Sequence, residues 1–114
     1  MKLILNPNDR VQELQRAFND LFPRLALHLF EKPHAAGEGS PKGERVNADA
    51  ELKQWIGGES RELELFDDMT VAQLEKTLRE CGMFAQVFRQ SGNLWLETTR
   101  TDQWTLHRVN NENY

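Results

Sequence analysis

The sequence predicts an α+β domain made by doubling one β-α-β unit. Three observations carry this: an apolar pattern that recurs without a gap 60 positions later, a strongly signalled helix start at Thr70, and a C-terminal stretch that alternates apolar and polar residues. Leu3, Leu5, Val11, Leu14 and Phe18 correspond to Leu63, Leu65, Val71, Leu74 and Leu78, and Leu27 to Val87. Only side-chain class is shared. The same burial pattern nevertheless asks for the same strand–helix–strand path twice.

Taken in order, Lys2 to Asn6 reads as a short strand ended by Pro7, with Asn8 or Asp9 placed to cap the helix that follows. In that helix Val11, Leu14, Phe18, Leu21 and Phe22 share a stripe, and Pro23 stops it. RLALHLFEK alternates with period two and reads as a strand. Residues 32–48 hold two prolines, three glycines and no periodicity, which predicts a mobile loop. A short helix is expected over Asp49 to Ile56, ended by Gly57-Gly58. Arg61 to Phe66 is the next strand. At the second main helix Thr70 is the N-cap, Gln73 completes a capping box, and Met69 and Leu74 suit the staple across it. Gly82 is a natural left-handed stop. FAQVFRQ and LWLETT then flank Ser91-Gly92-Asn93 as a hairpin, WTLHRV is expected to add one more strand, and NNENY is expected to be loose.

Two right-handed β-α-β units interleaved in one sheet make a ferredoxin-like fold, with both main helices on one sheet face and a C-terminal β-meander extending it. The two leading strands would run parallel in the centre. A grasp-type roll of the same elements stays open as the alternative.

A chain of 114 residues, 39% hydrophobic and 28% charged, can close one core, so a single domain spanning 1–114 is expected. The net charge of −4 argues against a broad nucleic-acid or anionic-membrane surface. Cys81 is the only cysteine, which excludes intrachain disulfides and paired-cysteine metal sites. No apolar run reaches the roughly 7–15 residues of a signal peptide core or the roughly 20 of a membrane span. A cytoplasmic protein without cofactor is expected.

Alternation places Ile4, His28, Phe30, Phe84, Gln86 and Phe88 on the sheet face away from the helices, and hairpin parity adds Trp95, Glu97 and Thr99. Phe30, Phe84, Phe88 and Trp95 are therefore the candidate binding face, because aromatics on an open sheet face require a cover or a partner. The second candidate is the polar strand end formed by Glu97, Thr99, Arg100 and Asp102, where acid, base and hydroxyls cluster. Turn chemistry alone would also explain that cluster. His28, His34 and His107 lack ligand spacing, Cys81 falls on a buried stripe, and Asp67-Asp68 suit a helix N-terminus. No catalytic residue and no metal ligand is singled out. The expected function is a small non-enzymatic interaction or accessory module, working as a homo-oligomer or with a protein partner. The alternative is a small-molecule binder or weak hydrolase at residues 97–102.

From Thr70 onward the chain resembles the C-terminal part of a group of small uncharacterised bacterial proteins, most specifically through QVFRQSGNLWLETTRTDQWTL. The resemblance implies a shared fold and a cytosolic bacterial setting. It implies no activity and no functional residue.

Overall fold

The structure is a computed structural model that describes residues 1–31, 45–91, 94–98 and 103–111. Most of the loop expected at 32–48 lies outside the described residues. The chain is α+β, with elements β1 (Lys2–Leu5), α1 (Val11–Leu21), β2 (Leu25–Phe30), α2 (Lys53–Ile56), β3 (Arg61–Glu64), α3 (Val71–Glu80), β4 (Phe84–Ser91), β5 (Leu94–Glu97) and α4 (Leu106–Asn111).

Local signals explain most of these bounds. α3 starts as its capping box requires: Gln73 N–H donates to Thr70 Oγ1 at 3.1 Å, and Thr70 N–H donates to Gln73 Oε1 at 2.8 Å. It stops at Gly82, whose φ of 89° leaves the right-handed path. A Cβ there would also sit 3.0 Å from the Trp55 carbonyl oxygen, so glycine is required twice over. α1 starts one residue later than an Asp9 cap would place it and two later than an Asn8 cap. The Asp9 carboxylate is used in the preceding turn, accepting from Asn6 Nδ2 at 3.1 Å, and Arg10 becomes the N-cap with its N–H donating to Glu13 Oε1.

The C-terminal segment needs a correction. WTLHRV was expected to add a strand, but Leu106 to Asn111 form α4, and Asn110 and Asn111 belong to it. Six residues fit either period. What decides is that Leu106 and Val109, three apart, are both buried in the core, and that the Thr105 hydroxyl accepts from Arg108 N–H at 3.1 Å.

The sheet topology brings a second correction. The leading strands do not run parallel in the centre of one sheet. β1 pairs with β3 antiparallel as a two-stranded ladder, and β2, β4 and β5 form a separate antiparallel sheet in the order β2-β4-β5. The reason lies in the operator that relates the two halves. Leu3 faces Leu63 across the first ladder and Leu27 faces Val87 across the second, so each is opposite its own counterpart 60 positions on. Strands related by an approximate twofold axis run head to tail, which makes the pairing antiparallel. The hydrophobic pattern prescribes the path within each half and is silent about how the halves are turned.

The correspondence reaches further than the side-chain pattern. Leu52 N–H donates to the Asp9 carbonyl and Leu106 N–H to the Met69 carbonyl, both at 2.8 Å. Lys53 donates to Pro7 as His107 does to Asp67, and Val11 donates to Ala50 as Val71 does to Trp104. Isolated bridges join Arg10 to Glu51 and Thr70 to Thr105 in the same way. α2 and α4 are thus counterparts, each folded back onto the residues that lead into the first helix of its own half. Their spacing is 54 positions rather than 60, which hides them from a gapless comparison.

Both main helices cover one face of β2 and β4. Leu25, Leu27, Leu29, Ala85 and Val87 are buried there with Leu14 and Phe18 of α1 and Leu74 and Leu78 of α3, in one core that includes residues from both halves.

Candidate interaction surface

The far face of the β2-β4-β5 sheet is set by register. His28 stands opposite Gln86, Phe30 opposite Phe84, Gln90 opposite Trp95 and Phe88 opposite Glu97. Side chains alternate across a strand, so His28, Phe30, Phe84, Gln86, Phe88, Trp95 and Glu97 share this face, as expected. Ile4 does not join them: it lies on the β1-β3 ladder and is exposed.

Much of the face is closed. Phe30, Gln86 and Phe88 are buried, and Phe84 is half-buried. The Arg45 guanidinium carbon lies 6.0 Å from the Phe30 ring centre and 5.1 Å from that of Phe88, placing a cation over both rings. His28 meets Phe88 edge-on at 4.9 Å, and the Gln15 amide nitrogen is 3.3 Å from His28 Nδ1. Burial, and secondarily the Arg45 charge, lower the His28 pKa from its usual 6.5, so the ring is neutral at pH 7. These contacts make this part of the face a second, smaller packed layer.

The open part is β5. Leu94, Trp95 and Leu96 are 64%, 44% and 38% exposed, three consecutive apolar residues on the edge strand. They show on both sides of the sheet. Among the described residues no strand pairs with the outer side of β5. Thr98 N–H donates to the Val87 carbonyl at 3.2 Å and Arg89 stands opposite Leu96, so the residues of β5 that bond toward β4 are Leu94 and Leu96. The N–H and C=O of Trp95 consequently point outward, away from the sheet. β2, the opposite edge, is different: Arg45 bridges Phe30, and Val46 N–H donates to the Leu29 carbonyl at 2.9 Å.

Of the polar candidate cluster, Glu97 is half-buried opposite Phe88, while Thr99, Arg100 and Asp102 lie outside the described residues. The neighbouring Thr98 belongs to a buried network that the sequence reading did not single out. Its hydroxyl donates to the Val87 carbonyl at 2.8 Å and accepts from Gln86 Nε2 at 3.2 Å, while Glu75 Oε2 of α3 accepts from Val87 N–H at 3.0 Å. In a continuing ladder that N–H would bond to the next residue of the neighbouring strand. The Glu75 carboxylate takes that place and ends the β4-β5 pairing there. The available signal was the position of Glu75, four residues after Val71 and beside Leu74 on the buried stripe.

Among the described residues, no three His, Cys, Asp or Glu side chains gather as metal ligands. Cys81 is buried at the end of α3, and His107 is exposed on α4. An open cleft of about 480 Å³ runs along α3 between Phe66 and Lys76, and one of about 590 Å³ lies beside β3 between Gly58 and Cys81. Neither is lined by Glu97 or by β5. No family model, no curated protein and no solved structure matches the chain.

Proposed function

We propose that the protein is a small non-enzymatic interaction module that docks a protein strand along β5. The observation behind this reading is the exposed run Leu94-Trp95-Leu96 on an edge whose central residue turns its backbone donor and acceptor outward. Folded domains normally blunt such an edge with a charge, a proline or a cover, because it templates pairing with another chain. Of the four aromatic candidates, Trp95 is the exposed one, whereas Phe84 is half-buried and Phe30 and Phe88 are buried.

A photo-crosslinking residue at position 94, with a control at exposed Arg16 on α1, tests the reading in the cells that make the protein. Protein adducts from position 94 and none from position 16, lost on Leu96→Lys, are expected. An absence of adducts from position 94 would refute it.

The winding is part of the proposal: a ferredoxin-like doubling of a strand–helix–strand path, divided over two sheets, with counterpart strands paired antiparallel. So are a cytoplasmic setting and kinship with the small bacterial proteins that share the C-terminal run. No helix among the described residues is long and apolar enough to cross a membrane. A binder or weak hydrolase at residues 97–102 is the second reading; neither of the two clefts named above is lined by Glu97.

A further inference from the structure

We infer that the strand docked on β5 is β5 of a second copy, paired antiparallel about a twofold axis at Trp95 and joining two three-stranded sheets into one of six. This rests on the interaction reading above and names the occupant.

The backbone supplies the first reason. Trp95 directs both its N–H and its C=O outward, so Trp95 opposite Trp95 of a second copy makes a narrow pair that exchanges two hydrogen bonds. Its neighbours Leu94 and Leu96 turn theirs inward to β4.

Side-chain complementarity supplies the second. An isologous pairing must bring each strand against itself, and only certain registers avoid conflict. Centred on Trp95, each Leu94 faces a Leu96 on both sides of the axis, so the whole apolar run is matched by apolar residues. Glu97 lies two positions from the axis, and the two carboxylates stand apart. Centred on Glu97 instead, the register would oppose like charges directly, which is destabilising.

The fold itself supplies the third. It already pairs counterpart strands antiparallel about an approximate twofold axis, at Leu3 with Leu63 and at Leu27 with Val87. A β5 pair repeats that geometry between chains.

The size of the contact sets its strength. The three side chains expose on the order of 300 Å² of apolar surface per copy, well below the roughly 800 Å² per partner of a standard stable interface. A reversible dimer is expected, with a dissociation constant of roughly 10–1000 μM.

Sedimentation of the purified chain from micromolar to millimolar concentration reads the equilibrium. Trp95→Lys and Leu94→Lys, both at exposed positions, should each weaken association by at least about tenfold while circular dichroism stays unchanged. Oxidative trapping reads the register, since Cys81 is buried and is the only natural cysteine. Trp95→Cys places two Cα atoms about 5.5 Å apart across the axis, within disulfide reach, whereas Glu97→Cys places them about 14 Å apart. A 95–95 disulfide without a 97–97 disulfide is the expected result.

A 97–97 disulfide would overturn the register. A monomer throughout, with no 95–95 trapping, would overturn the self-pairing. If adducts to a different protein still formed from position 94, β5 would be an interaction strand with another occupant. If those adducts were also missing, the interaction reading would fall with it.

Discussion

Leu106→Ala tests the least expected element of the fold. Leu106 is 0% exposed and packs in the core as the first residue of α4, with its N–H held by the Met69 carbonyl. Cutting it to alanine removes the buried side chain and leaves a cavity between α4 and the α3 entry, a change that costs about 2–5 kcal/mol. Unfolding entropy of about 2.1 cal/mol/K per residue, taken over a chain of 114 residues, turns a 3 kcal/mol loss into a drop in Tm of about 12 °C. Leu52→Ala is the internal comparison, because Leu52 is the counterpart of Leu106, buried to the same degree and held by Asp9 in the same bond. Urea unfolding followed by circular dichroism should show both variants destabilised by similar amounts with unchanged m-values. A Leu106→Ala loss below about 1 kcal/mol beside a full loss for Leu52→Ala would refute both the helix at 106–111 and the equivalence of the two ends.

Two further outcomes follow from buried polar groups. Glu75→Ala strands the Val87 N–H in the core and should cost about 1.5–3 kcal/mol, whereas Glu75→Gln keeps an acceptor in place and should cost less; equal losses in chemical denaturation would contradict the role given to the carboxylate. His28, with its pKa lowered below 6.5 in the folded state, makes stability depend on pH in a defined direction. Between the folded pKa and 6.5 the unfolded chain binds the proton that the folded chain refuses, so stability falls as pH drops through that window and is unaffected above it. Thermal melts from pH 8 to pH 5 should show this fall, His28→Gln should flatten it and Arg45→Gln should narrow it. An unchanged slope in His28→Gln would remove His28 as its source.

Legibility in the sequence followed the range of the interaction involved. The capping box at Thr70 and Gln73, the stop at Gly82 and the alternation in Leu25–Phe30 are settled within a few residues, and the structure has them where the sequence puts them. Hairpin parity likewise placed Trp95 and Glu97 on the face of Phe88, since it depends only on period two and a two-residue connection. The helix at Leu106 was missed because six residues carry both periods, and what selects one is a docking site at Met69 and Asp67, far from it in sequence. Exposure could not be read either. Alternation alone gives Phe30 and Phe88 the same standing as Trp95; the Arg45 guanidinium over both rings, from another segment, separates them.

The sequence by itself determined that one strand–helix–strand path is used twice, since burial of a fixed apolar pattern constrains each half locally. Tertiary structure alone decided that the halves meet about a twofold axis, with Leu3 on Leu63 and Leu27 on Val87, because a repeat says nothing about the rotation between its copies. That rotation makes the pairing antiparallel; the segment at Arg45 and Val46 covers β2 at one border of the sheet, and β5 forms the other.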